Sequence, residues 1–209
     1  ESEMTVVRNE FEMGENSPQG ILEERLFSTA YLWHNYGNST IGARSDIENV
    51  PIERLKGFYR KYYQPDNAIL VVAGKFDEAA VLKRIAQLFE PIPRPNREGD
   101  NHLWPTYTVE PVQDGERIVN LRRVGGTPQL LASYHTVPGA HPDHAAVELL
   151  TLVMGDTPAG RLHKRLTEAK LASDTWAWTP ALHDPGFMAF GASLAPGQDP
   201  AAAQAALIA

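Results

Sequence analysis

One uninterrupted apolar run, residues 68–73, constrains the fold of this chain more than any other feature. The run is too short for a globular helix and suits a strand that is buried on both faces. On either side lie segments with helical periodicity, residues 52–62 and about 78–89, and these predict amphipathic helices. The pattern predicts a helix–strand–helix unit of an α/β or α+β layer with a central strand. The side chains expected to pack on that strand are Phe58, Tyr62, Val81 and Ile85.

The amino-acid composition argues against nucleic-acid binding, cysteine chemistry and a membrane-spanning segment. Lysine and arginine number 19 against 26 aspartate and glutamate, a net charge of −7. No basic cluster is present, so nucleic acid is not an expected partner. The absence of cysteine excludes disulfides, thiolate metal sites and cysteine nucleophiles, and fits an exported bacterial protein. No stretch approaches the roughly 20 apolar residues of a membrane span.

The rest of the chain alternates predicted helices and strands. Two helices are expected first, over residues 1–13 and from Pro18 to about Trp33, with Ser17 as the N-cap of the second. Residues 90–105 are rich in proline and lack periodicity, which predicts a linker. Beyond it, strands are predicted at 117–124, 129–137, 173–181 and 187–194, with helices opening at Pro142 and Pro158. Leu162 and Leu166 are expected to face inward.

Three sequence motifs within residues 46–77 indicate a family resemblance. The motifs are DIEN at 46–49, L-x-x-FY-x-KYY-x-PDN at 55–67 and ILVVAG-x-FD at 69–77. In this order they closely resemble the pitrilysin/insulinase family of zinc peptidases, which includes the mitochondrial processing peptidases. The resemblance implies an α+β fold of homologous domains, each with a mostly antiparallel sheet backed by helices. Residues 1–105 would be the C-terminal half of the zinc-peptidase-type domain, including the linker. Residues 106–209 would be the N-terminal part of the following, non-catalytic domain.

Glu3 and Glu10 are the candidate site residues. They are seven residues apart in the first predicted helix, so both project from one face. Alone, two such glutamates usually mark a solvated face. The resemblance implies more: Glu10 matches the family's glutamate zinc ligand, and Glu3 matches the supporting glutamate of the catalytic site.

The family's H-x-x-E-H motif, which supplies two zinc ligands and the general base, occurs nowhere in the 209 residues. A hydrolytic zinc needs three protein ligands and an open position for water. The expected cofactor is therefore zinc in the intact parent protein, while this chain alone is predicted to be inactive and to bind zinc weakly.

The histidines offer no convincing alternative site. His141 and His144 flank a predicted helix start, but the intervening proline makes a surface role the expected one. Five others are predicted to be structural or solvent-facing: His34, His102, His135, His163 and His183.

The leading hypothesis is a part of a bacterial zinc-dependent metalloendopeptidase that cleaves peptides or small unfolded proteins. The alternative is a non-catalytic structural or partner subunit of the same family, similar to the respiratory core proteins. The resemblance also allows a homologous partner subunit or a homodimer. The periplasm is preferred to the cytoplasm. Both ends of the sequence have the composition of helix interiors, so we expect a piece of a longer protein.

Overall fold

The computed structural model describes residues 2–209, so Glu1 of the first predicted helix lies outside the described residues. The chain divides into two compact units. The larger contains the residues up to Ala43 together with Thr108–Ala209, and the smaller is Arg44–Tyr107. The helices are α1 (Ser2–Glu15), α2 (Pro18–Ala30), α3 (Arg44–Asn49), α4 (Ile52–Tyr62), α5 (Glu78–Phe89), α6 (His144–Gly155) and α7 (Pro200–Ile208). The strands are β1 (Gln129–His135), β2 (Asp174–Trp178) and β3 (Phe187–Ser193).

An antiparallel sheet of order β1–β3–β2 organises the larger unit. In its register Gln129 faces Ser193 on one side of β3, and Trp178 faces Ala189 on the other. These strands fall within three of the predicted ranges and confirm them. Mixed helices with an antiparallel sheet also confirm the predicted α+β class.

The main core of the larger unit lies between the sheet and the helical segments near it. Its buried members are Leu162, Leu166, Ala172, Phe190, Ala192, Leu194 and Ala203. Leu162 and Leu166 are therefore inward-facing, as predicted, although the turn that carries Leu166 is a π-helix, His163–Thr167. A second cluster is formed by Tyr31, Phe187 and Ala189.

The start of α2 follows the predicted capping chemistry. The Ser17 hydroxyl accepts a hydrogen bond from the Gly20 N–H at 3.1 Å, and Pro18 occupies the first helical turn. That bond satisfies one of the amide donors that every helix leaves unpaired at its N-terminus.

Two predicted strands are wrong for this chain. Residues 117–124 form no strand, although Arg117 donates from Nη1 to the Thr29 carbonyl at 2.6 Å. Residues 68–73 also form no strand, and their side chains are exposed. Phe58 and Tyr62 are exposed as well instead of packing on that run. For residues 68–73 the reason is backbone pairing: a strand needs a neighbour for its N–H and C=O groups, and Arg44–Tyr107 contains helices and turns but no second strand.

Glu110 fixes the segment that follows α2. Its carboxylate accepts hydrogen bonds from the backbone N–H groups of Leu32, Trp33 and His34 at 2.9, 2.8 and 2.9 Å. Burial acts to raise the pKa of Glu110, but these three donors, together with the nearby His135, hold that pKa below its ordinary value.

We expect Glu110→Gln to lower the free energy of unfolding at pH 7 by about 1–2 kcal/mol, since it removes a charged acceptor of three hydrogen bonds. A carboxyl with a depressed pKa contributes stability above its unfolded pKa of about 4.3 and loses it as pH falls through the folded value. The difference from wild type should therefore shrink in acid, which urea unfolding between pH 7 and pH 3 measures. Glu116→Gln is the matched control, because Glu116 is exposed and its side chain has no partner in the described part of the chain. A constant difference across that range would contradict the assignment.

Candidate functional site

Helix α1 carries both candidate glutamates. Glu3 lies in its first turn, where a carboxylate complements the positive end of the helix dipole. The helix ends at Glu15, and just beyond it the Asn16 side chain donates to the Glu12 carbonyl at 2.9 Å. Because the helix is continuous, Glu3 and Glu10 share one face, two turns apart, as predicted.

Both carboxylates are exposed and lack a hydrogen-bond or ion-pair partner within residues 2–209. Glu10 lines an open depression of about 500 Å³ in the larger unit, whose other acidic lining residues are Glu15 and Glu24. Glu3 is not part of that lining. The fold therefore leaves the Glu10 carboxylate available as an anionic ligand and places other carboxylates, not imidazoles, along the same depression.

The donor set does not fit a complete zinc site. Within residues 2–209, no group of three His, Cys, Asp or Glu side chains is placed to hold a metal ion. A catalytic zinc requires three protein ligands, of which this chain offers at most Glu10. No step of zinc chemistry can be assigned to these residues alone.

One of the two flanking histidines departs from the prediction. His141 is exposed, as expected, but His144 is 5% exposed, which corrects the predicted surface role. His144 begins α6, which packs on β2 and β3, so its ring is covered while His141 stays in the preceding turn. Its Nε2 lies 3.6 Å from Glu148 Oε1, one helical turn onward.

A polar cluster that the sequence did not reveal ties the segment after α2 to the β2–β3 loop. His34 Nε2 lies 3.2 Å from Asp184 Oδ2, and His34 Nδ1 accepts the Tyr36 N–H at 3.1 Å. The Asp184 N–H donates to the Tyr36 hydroxyl at 3.1 Å. Burial, followed by the nearby Tyr36 and Glu110, raises the pKa of Tyr31 beside this cluster. His34 is thus structural, as predicted, and it anchors a loop.

Comparison with known proteins settles the family. Residues 49–209 match the family model described as the peptidase M16 inactive domain. The chain belongs to the M16 peptidase family. This M16 chain is 33% identical over 179 residues to the zinc protease PqqE of Helicobacter pylori, an alignment that covers 84% of the chain and 39% of that relative. The resemblance to the pitrilysin/insulinase zinc peptidases is confirmed.

Solved structures agree with this placement. A protease from Helicobacter pylori superposes with a TM-score of 0.90 at 30% identity, covering 99% of this M16 chain and 50% of its own. The first half of the periplasmic protease PqqL from Escherichia coli gives a TM-score of 0.56 at 20% identity, covering 93% of this M16 chain and 42% of that structure. At this identity the similarity supports the fold and nothing further. The M16 chain spans half or less of these relatives. No helix in the described part is long and apolar enough to cross a membrane.

We expect this chain alone to bind zinc no more tightly than micromolar, because a single carboxylate cannot replace the three ligands of a catalytic site. Calorimetric titration with zinc measures this, with Glu10→Gln as the matched variant. A stoichiometric site tighter than micromolar that Glu10→Gln removes would show the ligand count to be wrong.

Proposed function

We propose that this chain is part of a zinc-dependent metalloendopeptidase that cleaves peptides or small unfolded proteins. One observation carries the proposal: Glu3 and Glu10 project from one helix of an M16 chain, exposed and without a partner among residues 2–209. Alone, two such glutamates would mark a solvated face. Their position in an M16 chain is what supports a ligand role, and their exposure leaves the carboxylate oxygens free for an ion.

In the parent protein, Glu10 would supply one carboxylate ligand to zinc, and Glu3 would support that site from two turns earlier on the helix. Bound zinc would supply an activated water. The general base and the two histidine ligands would come from an H-x-x-E-H segment outside these residues.

We propose that residues 1–105 complete the zinc-peptidase-type domain and that residues 106–209 begin the non-catalytic one. A periplasmic location is proposed, in line with the relative PqqL of Escherichia coli, which is described as periplasmic.

The test is to purify the full-length parent, measure its bound zinc and assay cleavage of an unfolded peptide before and after chelation. We expect stoichiometric zinc and cleavage that chelation removes and added zinc restores. A parent that contains no H-x-x-E-H, holds no zinc and cuts nothing would instead identify a non-catalytic subunit. Any partner subunit or homodimer would be detected by light scattering on the same sample.

A further inference from the structure

The segment that follows α2 forms one wall of the depression that contains Glu10. Residues 39–41 line that depression, and Glu10 lines it from α1. This wall comes directly after the 3₁₀ turn Asn35–Gly37 and closes a turn of its own, in which the Gly42 N–H donates to the Ser39 carbonyl at 3.1 Å. A peptide that reached a metal ion on Glu10 would therefore lie against the wall at residues 39–41.

The chain in front of the wall is folded tightly against the end of α2. The Gly37 N–H donates to the His34 carbonyl at 3.1 Å, and the Asn38 N–H donates to the Asn35 carbonyl at 3.0 Å. A Cβ atom on Gly37 would collide with the Tyr31 carbonyl oxygen, so this close approach requires glycine. Because the turn is tight and leads straight into the wall, the wall takes its position from the residues that hold this turn.

Two carboxylates from beyond residue 106 hold the turn. Glu110 accepts the three consecutive backbone N–H groups that follow Tyr31. On the other side, His34 Nε2 lies 3.2 Å from Asp184 Oδ2. His34 Nδ1 accepts the Tyr36 N–H, so Nε2 carries the proton of the neutral ring and donates it to Asp184. Both anchors are charged acceptors, whose hydrogen bonds are stronger than those between neutral groups.

We propose that Glu110 and Asp184 are positioning residues for the Glu10 site, because they fix the wall against which the peptide substrate is seated. The inference rests on the proposed function. It adds that residues from the part of the chain proposed to begin the non-catalytic domain shape the substrate site beside α1. Neither carboxylate lines the depression, so each acts through the wall and not on the substrate. A displaced wall would weaken peptide binding and leave zinc in place, since Glu10 lies on a separate helix.

The test uses Asp184→Asn in the full-length parent, with Asp174→Asn as the matched control. The amide keeps the size of the side chain but removes the charge that accepts from His34. Asp174 is an exposed aspartate on β2 whose side chain has no partner among residues 2–209. We expect Asp184→Asn to raise KM for an unfolded peptide by on the order of 10-fold, with kcat and bound zinc nearly unchanged. Asp174→Asn should change none of the three.

A merely structural role for Asp184 would give a different result. Partial unfolding lowers the concentration of active enzyme, so it would reduce the apparent kcat and the bound zinc and leave KM unchanged. Thr40→Ala changes the wall directly at an exposed position, and so it tests the inference even if Asp184→Asn fails to fold. We expect Thr40→Ala to raise KM too. If Asp184 acts through the wall, the double variant should raise KM by less than the product of the two single effects.

The outcomes separate this inference from the proposed function. An active parent whose KM does not respond to Asp184→Asn, or does not respond to Thr40→Ala, would overturn the inference and leave the proposed function standing. Independent, multiplicative effects of the two substitutions would overturn it as well. A wild-type parent that holds no zinc and cuts nothing would reject the proposed function, and this inference with it.

Discussion

Glu10→Ala in the full-length parent is expected to abolish peptide cleavage and to release zinc while leaving the fold intact. The carboxylate makes no hydrogen bond or ion pair within residues 2–209 and is exposed, so its loss should change the free energy of unfolding by no more than about 0.5 kcal/mol. The zinc site, in contrast, would lose one of three protein ligands. Residues that only support a ligand typically alter metal affinity or activity by about 10–100-fold, and a ligand should exceed that range.

Glu3→Ala should fall within that milder range, because the site would keep all of its ligands. Glu15→Ala supplies the matched control, since Glu15 is an exposed glutamate at the end of the same helix and along the same depression as Glu10. Bound zinc by atomic absorption, peptide cleavage and thermal unfolding are measured for each variant. A Glu10→Ala parent that keeps both zinc and activity would refute the ligand assignment. If Glu15→Ala lost as much zinc and activity as Glu10→Ala, the effect would come from the negative charge of this surface and not from a ligand at Glu10.

Leu166→Ala is expected to cost about 3 kcal/mol of stability, within the range of 2–5 kcal/mol for truncating a fully buried leucine. Leu166 is 0% exposed and packs in the cluster that contains Leu162, Phe190 and Leu194. Removing its side chain leaves a cavity beside a strand that is paired on both edges, where the backbone has little freedom to collapse.

The measurement is urea unfolding followed by far-ultraviolet circular dichroism. The urea concentration at the unfolding midpoint should fall. The slope of the free energy of unfolding against urea concentration should stay unchanged, as expected when only packing in the native state changes. Leu149→Ala is the control, because Leu149 lies on α6 and is 63% exposed, and its change should stay near 0.5 kcal/mol. Equal shifts for the two leucines would mean that the core of the larger unit lies elsewhere.

Local chemistry explains what the sequence predicted well. The cap at Ser17 needs only residues three positions apart, and the period of α1 places Glu3 and Glu10 on one face without tertiary information. The β2 and β3 ranges follow from composition and from the turn between them. Whether Glu10 binds zinc stays a prediction, because helical spacing fixes where a carboxylate points and not what approaches it.

Long-range pairing explains what the sequence did not predict. The contact of His34 with Asp184 joins residues 150 positions apart, and neither residue has a local pattern that signals it. The apolar composition of residues 68–73 favours a strand, but composition carries no information about whether a neighbouring strand is present to pair with it. Burial of His144 likewise depends on the packing of α6 on the sheet, whereas its local sequence suggested a surface turn.

The open segment at residues 68–73 also has a consequence for the chain's behaviour during synthesis and storage. Four consecutive aliphatic residues, 69–72, flanked by alanines and without charge or proline, resemble the short segments that seed cross-β aggregation. The nearest charges are Asp66 and Lys75, which lie beyond the two ends of the segment and act as gatekeepers against stacking. An exposed segment of this kind is an aggregation hazard, so we expect residues 68–73 to limit the solubility of this chain.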